Sequence, residues 1–232
     1  MTPASLRRSV CACILAALLA PLGGCQVLGF GGAMMESYKR SSTKTVKAEY
    51  TGLEGKRWAV VVSADRVIQA DYPNLVPALT AQITGRLADK PQQEMIGATG
   101  YIPPASILRF QYENPGWLAM SRGELAGKLG VDRLVMVELI EYRLNEPGNQ
   151  YLWEGQATGT MAVFEADGGK GGGGRAETPA FEKPIRVSYP DTMGMGPQDL
   201  PAQAIAQTLV NRFVDRCTWV FYAHQEPYYP KY

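Results

Sequence analysis

Histidine is nearly missing from this chain: His224 is the single one in 232 residues. One imidazole cannot build a histidine-rich metal site, and the 4 cysteines do little to replace it. Cys11, Cys13 and Cys25 crowd one end and Cys217 stands alone near the other. If residues 1–24 are removed and Cys25 is modified, Cys217 has no partner for a disulfide, a redox pair or a two-cysteine metal site. No metal and no cofactor is therefore expected. Charge of one sign is also missing. The 23 Lys and Arg nearly cancel 22 Asp and Glu, and without Arg7 and Arg8 the balance falls to 21 against 22, about −1. Such a chain has no general electrostatic reason to bind nucleic acid. Long apolar runs are absent too: Val10 to Leu19 is too short to span a bilayer, which takes about 20 apolar residues.

What is present begins at the N-terminus. Arg7 and Arg8 supply a positive segment, Val10 to Leu19 an apolar one, and Pro21 to Gly24 a small-residue exit. The tetrapeptide LGGC, formed by Leu22, Gly23, Gly24 and Cys25, resembles the lipobox of bacterial lipoproteins. That resemblance implies cleavage before Cys25 and transfer of diacylglycerol to its thiol. Acyl chains contribute roughly 0.8 kcal/mol per buried CH₂, so two or three of them hold a soluble domain at a membrane durably. Gln26, where enteric lipoproteins retained at the inner membrane carry Asp, implies an outer membrane facing the periplasm. Two alternatives are an ordinary secretory signal and, from LRRSV, a twin-arginine signal, whose following residues fit poorly.

Four segments follow: a signal peptide over 1–24, a flexible tether over 25–55, a folded domain over 56–223 and an aromatic tail over 224–232. Glycines, the run KRSSTKTVK and weak apolar periodicity mark the tether, and about 30 flexible residues reach roughly 30 Å on average. Lys39, Arg40, Lys44 and Lys47 suit anionic headgroups or simple solvation.

The domain opens on RWAVVVSAD, Arg57 to Asp65, whose consecutive apolar residues predict a strand buried on both faces. Val76, Leu79, Ile83 and Leu87 predict a helix. A second strand is expected over Glu94–Pro104, then a helix opening at Pro104 and ending at Asn114–Pro115. Ser121 and Glu124 have capping-box spacing, and Gly130 closes that short helix. Asp132–Leu144 predicts a strand that turns at Pro147–Gly148 into a second, on which Trp153, Gly155, Ala157, Gly159, Met161 and Val163 share one face. Asp167–Arg175 invites a phosphate-loop reading, but no Ser or Thr follows Lys170, and a flexible hairpin tip fits better. Phe181–Pro190 returns as a strand. Ile205, Leu209, Phe213 and Cys217 then lie at four-residue steps, which makes Cys217 a core residue.

The order β-α-β-α-α-β-β-β-α predicts a single α/β (or α+β) domain: a mixed, mostly antiparallel sheet with helices packed on it. Behind a lipobox, that order resembles the periplasmic domains of the curli-secretion lipoprotein, of the lipoprotein activators of penicillin-binding proteins, and the amino-terminal domain of the Tol translocation protein. VVVSADRVIQADYPNL, PPASILRFQYENP, LGVDRLVMVELIEYRL and EGQATGTMAVFEA together look like a family of uncharacterised bacterial envelope lipoproteins. The resemblance implies an address and a fold and brings no reaction.

Chemistry has one weak candidate. Glu138 shares a strand face with Leu134, Met136 and Ile140, so burial and a raised pKa, as a general acid requires, are expected of it. Arg109, Tyr112 and Asp65 are the expected members of a buried polar network around it. An ion pair locking sheet to helix is the plainer reading of the same residue. The sequence thus points to a membrane-anchored periplasmic binding or scaffolding module for an envelope protein partner or a homo-oligomer. The alternatives are a small-ligand or glycan-acting enzyme using Glu138 and a subunit of an oligomeric export complex.

Overall fold

The computed structural model describes residues 42–166 and 178–228. In chain order the strands are β1 (Thr43–Val46), β2 (Arg57–Ala64), β3 (Gly100–Tyr101), β4 (Arg133–Glu146), β5 (Asn149–Glu165), β6 (Phe181–Tyr189) and β7 (His224–Pro227). The α-helices are α1 (Arg66–Asp71), α2 (Leu75–Ala88), α3 (Lys90–Ile96), α4 (Pro104–Glu113), α5 (Arg122–Leu129) and α6 (Ala202–Thr218). The described residues divide into a small unit, 42–45 with 225–228, and a large one, 46–224.

In the small unit β1 and β7 form a two-stranded ribbon. The Thr43 hydroxyl donates to Gln225 Oε1 at 2.8 Å and the Tyr228 amide to the Ser42 carbonyl at 3.2 Å.

The large unit is a mixed α/β fold, as the sequence predicts. Its sheet has the order β3-β2-β4-β5-β6, with β2 parallel to both β3 and β4 and the remaining pairs antiparallel. β2 is apolar from Trp58 to Val62 because helices cover that run on both sides. Trp58, Val60 and Val62 face α2 and α6, whereas Ala59 and Val61 face α4 and α5. On the first face α2 buries Leu75, Leu79, Ile83 and Leu87, and α6 buries Ile205, Leu209, Phe213 and Cys217. On the second, Ile107 of α4 and Leu125 and Ala126 of α5 close over Leu134 and Met136. The Ser121 hydroxyl accepts from the Glu124 amide at 3.1 Å, and Gly130 ends α5 at φ 65°, the left-handed conformation glycine tolerates.

Three expectations change. The strand expected over Glu94–Pro104 is mostly helix and turn: Pro91 suits the first turn of α3, Gly97 ends it at φ 70°, and β3 keeps only two residues. The tether drawn to residue 55 is packed in its last part. Leu53 is 1% exposed, the Glu49 and Tyr50 amides both donate to the Val220 carbonyl, and the Tyr50 ring lies against Phe181 and Phe221. The tail begins as a strand, since His224–Pro227 is β7. Signal peptide, lipobox, Cys25 and the glycine-rich Asp167–Arg175 fall outside the described residues.

Candidate functional site

The layer formed by α4 and α5 is short, and its cover of β4 ends near Met136. Past that point the same sheet face continues without a helix over it among the described residues. Glu138, Thr160 and Pro184 form one cross-strand row; Glu141, Thr158 and Arg186 form the next; Arg143, Gln156 and Ser188 form the third. Every one of these nine side chains is half-buried or exposed. A bulge between Leu139 and Glu141 inserts Ile140, leaves it 58% exposed, and brings Glu141 and Arg143 onto the open face.

Arg143 organises the face. Its Nε donates to Glu141 Oε1 at 2.9 Å, Nη1 to the Asn145 and Glu154 carbonyls at 2.9 Å each, and Nη2 to Gln156 Oε1 at 3.1 Å. The Gln156 amide donates in turn to Glu141 Oε2 at 2.7 Å, and Arg186 reaches Gln156 Oε1 at 3.4 Å. Burial works against the Arg143 charge, but hydrogen bonds to Glu141 and Glu154 and their negative charge outweigh it and hold its pKa above the ordinary value. The result is a set of donors and acceptors fixed in position on a rigid sheet and open to a partner.

Glu138 lies at the edge of this face, where Ser63, Leu118, Arg122, Thr160 and Glu182 join it around a groove of about 280 Å³. It is exposed, contrary to expectation, because strand periodicity places it on the Leu134–Met136 face while the helical cover stops short of it. The expected buried network does not assemble. Arg109 is exposed and Tyr112 is 88% exposed on α4, and Asp65 caps α1 by accepting from the Val67 amide at 2.7 Å. No hydrogen bond or ion pair joins any two of Glu138, Arg109, Tyr112 and Asp65. Gln111, beside Tyr112, turns inward instead and donates to the Val62 carbonyl at 3.2 Å. Alternation along β5 places Gln156 on the hairpin's polar face, opposite Trp153 and Ala157, but Arg143 escaped the sequence reading; its signal needs the bulge to be read in register.

Cys217 is fully buried, and burial pushes its thiol pKa up. Among the described residues no three His, Cys, Asp or Glu side chains are placed to hold a metal, and no helix is long and apolar enough to cross a membrane.

No family model matches the sequence, and no curated protein matches it. Similar solved structures include lipoprotein GNA1162 from Neisseria meningitidis, at 12% identity over 68% of this chain and 98% of that one, with a TM-score of 0.42. The PelC dodecamer from Paraburkholderia phytofirmans is 9% identical over 78% of this chain and 95% of its own, with a TM-score of 0.40. The hypothetical protein CT253 from Chlamydia trachomatis is 14% identical over 71% of this chain and 97% of its own, with a TM-score of 0.39.

Proposed function

We propose that this protein is a bacterial envelope lipoprotein, acylated on Cys25 and held at the outer membrane facing the periplasm. Its α/β unit acts as a binding or scaffolding module for an envelope protein, through the open face of β4, β5 and β6. The observation that carries this reading is the Arg143–Glu141–Gln156 network, ordered on a sheet face that no helix among the described residues covers. Pinned polar groups on a rigid sheet lose little freedom on binding, which favours a specific contact. Binding is preferred over catalysis because Glu138 is exposed and the polar network expected around it does not assemble. The anchor rests on Leu22, Gly23, Gly24 and Cys25 as a lipobox.

The test is crosslinking in intact cells, comparing Thr158→Arg with Ser106→Arg on the exposed side of α4. Ser106→Arg, at an exposed position, should leave stability within about 0.5 kcal/mol. Thr158 is half-buried and accepts from Gln156 at 3.2 Å, so a urea midpoint establishes that Thr158→Arg remains folded before the two are compared. Thr158→Arg should abolish a specific crosslinked species that Ser106→Arg preserves. Equal crosslinking by both would place the contact elsewhere.

A further inference from the structure

On the other face of the sheet, the first halves of α2 and α6 diverge around a recess of about 380 Å³. That volume falls in the range of small-molecule sites, about 300 to 1,000 Å³. The recess exists because Ala78 and Ala206, which face it from the two helices, are small. Tyr142 and Tyr72 form an aromatic corner there, with ring centroids 4.8 Å apart and planes at 78°. Tyr142 is 8% exposed and directs its hydroxyl at the Ala206 carbonyl, 3.4 Å away.

The polar lining faces solvent and is free to meet a ligand. Asn74, Ala78 and Gln82 follow one another at four-residue steps along one side of α2, and Gln203 faces them from the start of α6. Asn74 sits at the helix cap without making a side-chain cap bond. Among the described residues, the carboxamides of Asn74, Gln82 and Gln203 and the Tyr72 hydroxyl have no hydrogen-bond partner. Asp71 is the only ionisable acid of the lining, and no Lys or Arg lines it.

We infer that this recess binds a neutral saccharide. A pyranose ring offers an apolar C–H face for the tyrosine corner and Leu75, and a rim of hydroxyls that both donate and accept, as carboxamides do. Other classes fit less well. An anion meets no cation and one carboxylate. A purely apolar ligand strips water from the carboxamides and gives them nothing in return. The inference rests on neither the anchor nor the open sheet face.

Saturation-transfer NMR and calorimetry on the full chain, kept in a detergent without a sugar headgroup, test it directly. Maltotriose and tri-N-acetylchitotriose are the neutral probes, and trigalacturonate is the charged counterpart. At least one neutral trisaccharide should bind at one site with millimolar affinity or better, and trigalacturonate should bind about tenfold more weakly or not at all. Ala206→Leu, which fills the recess, should weaken binding about tenfold or more, a change of about 1.4 kcal/mol. Gln203→Ala, at an exposed position that cannot disturb the core, should weaken it several-fold. Absence of binding by both neutral probes, binding indifferent to both substitutions, or equal binding of trigalacturonate would each overturn the inference.

Discussion

Gly159 of β5 lies directly beneath Phe213 of α6, with no space between them for a side chain. A Cβ on Gly159 would stand 3.0 Å from Phe213 Cζ and closer still to the Glu138 carbonyl oxygen. Gly155, four residues away on the same face, meets Leu209 and Ile205 in the same manner. The two glycines let α6 settle onto the sheet. Their need is close approach, since neither requires a left-handed backbone.

Gly159→Val should therefore cost about 1 to 3 kcal/mol, the usual penalty for overpacking a filled core. Gly85, exposed in the last turn of α2, has nothing within 4 Å of a built Cβ. Gly85→Ala should stabilise the protein by roughly 0.5 to 1 kcal/mol through helix propensity. Urea midpoints of the two variants check the opposite signs.

Cys217 should resist modification in the native state. Burial both blocks access and raises the thiol pKa, so the reactive thiolate is scarce. Labelling of the lone thiol of a Cys25→Ser, Cys11→Ser, Cys13→Ser chain by a disulfide reagent should proceed only as fast as the protein opens. Immediate labelling without denaturant would contradict the packing of α6.

Asp215 supplies a pH test. Its carboxylate lies 2.8 Å from Arg86, yet burial outweighs the ion pair and raises its pKa above the ordinary value. The folded chain then binds this proton more tightly than the unfolded chain, whose Asp titrates at about 3.9. Asp215 thus penalises the fold above its folded pKa, and the penalty is relieved as pH falls through that pKa toward the unfolded one. Measured against Asp215→Asn, which removes the titration, wild-type stability should rise on acidification across that window. A difference independent of pH would show that burial does not dominate.

Much of this fold is legible in the sequence because its strongest signals are periodic. The unbroken apolar run Trp58–Val62 of β2, the four-residue stripes of α2 and α6, and the Ser121–Gly130 caps are local patterns with local causes. What escapes is set by distant geometry. Periodicity puts Glu138 on the face of Leu134 and Met136, but only the length of α4 and α5 decides that this face is uncovered there. The Ile140 bulge, which delivers Arg143 to Gln156, has no local marker. Loop residues Tyr50 and Leu53 look like tether because their partners, Val220, Phe181 and Phe221, lie far along the chain.

The central claim is that a lipid on Cys25 holds this module at a membrane, and the intact mass of the native, detergent-extracted protein tests it most directly. The account expects a chain from Cys25 to Tyr232 carrying diacylglycerol and a further acyl group, both lost in Cys25→Ser. A mass without lipid, whether of the full chain or of one cut elsewhere, would contradict it.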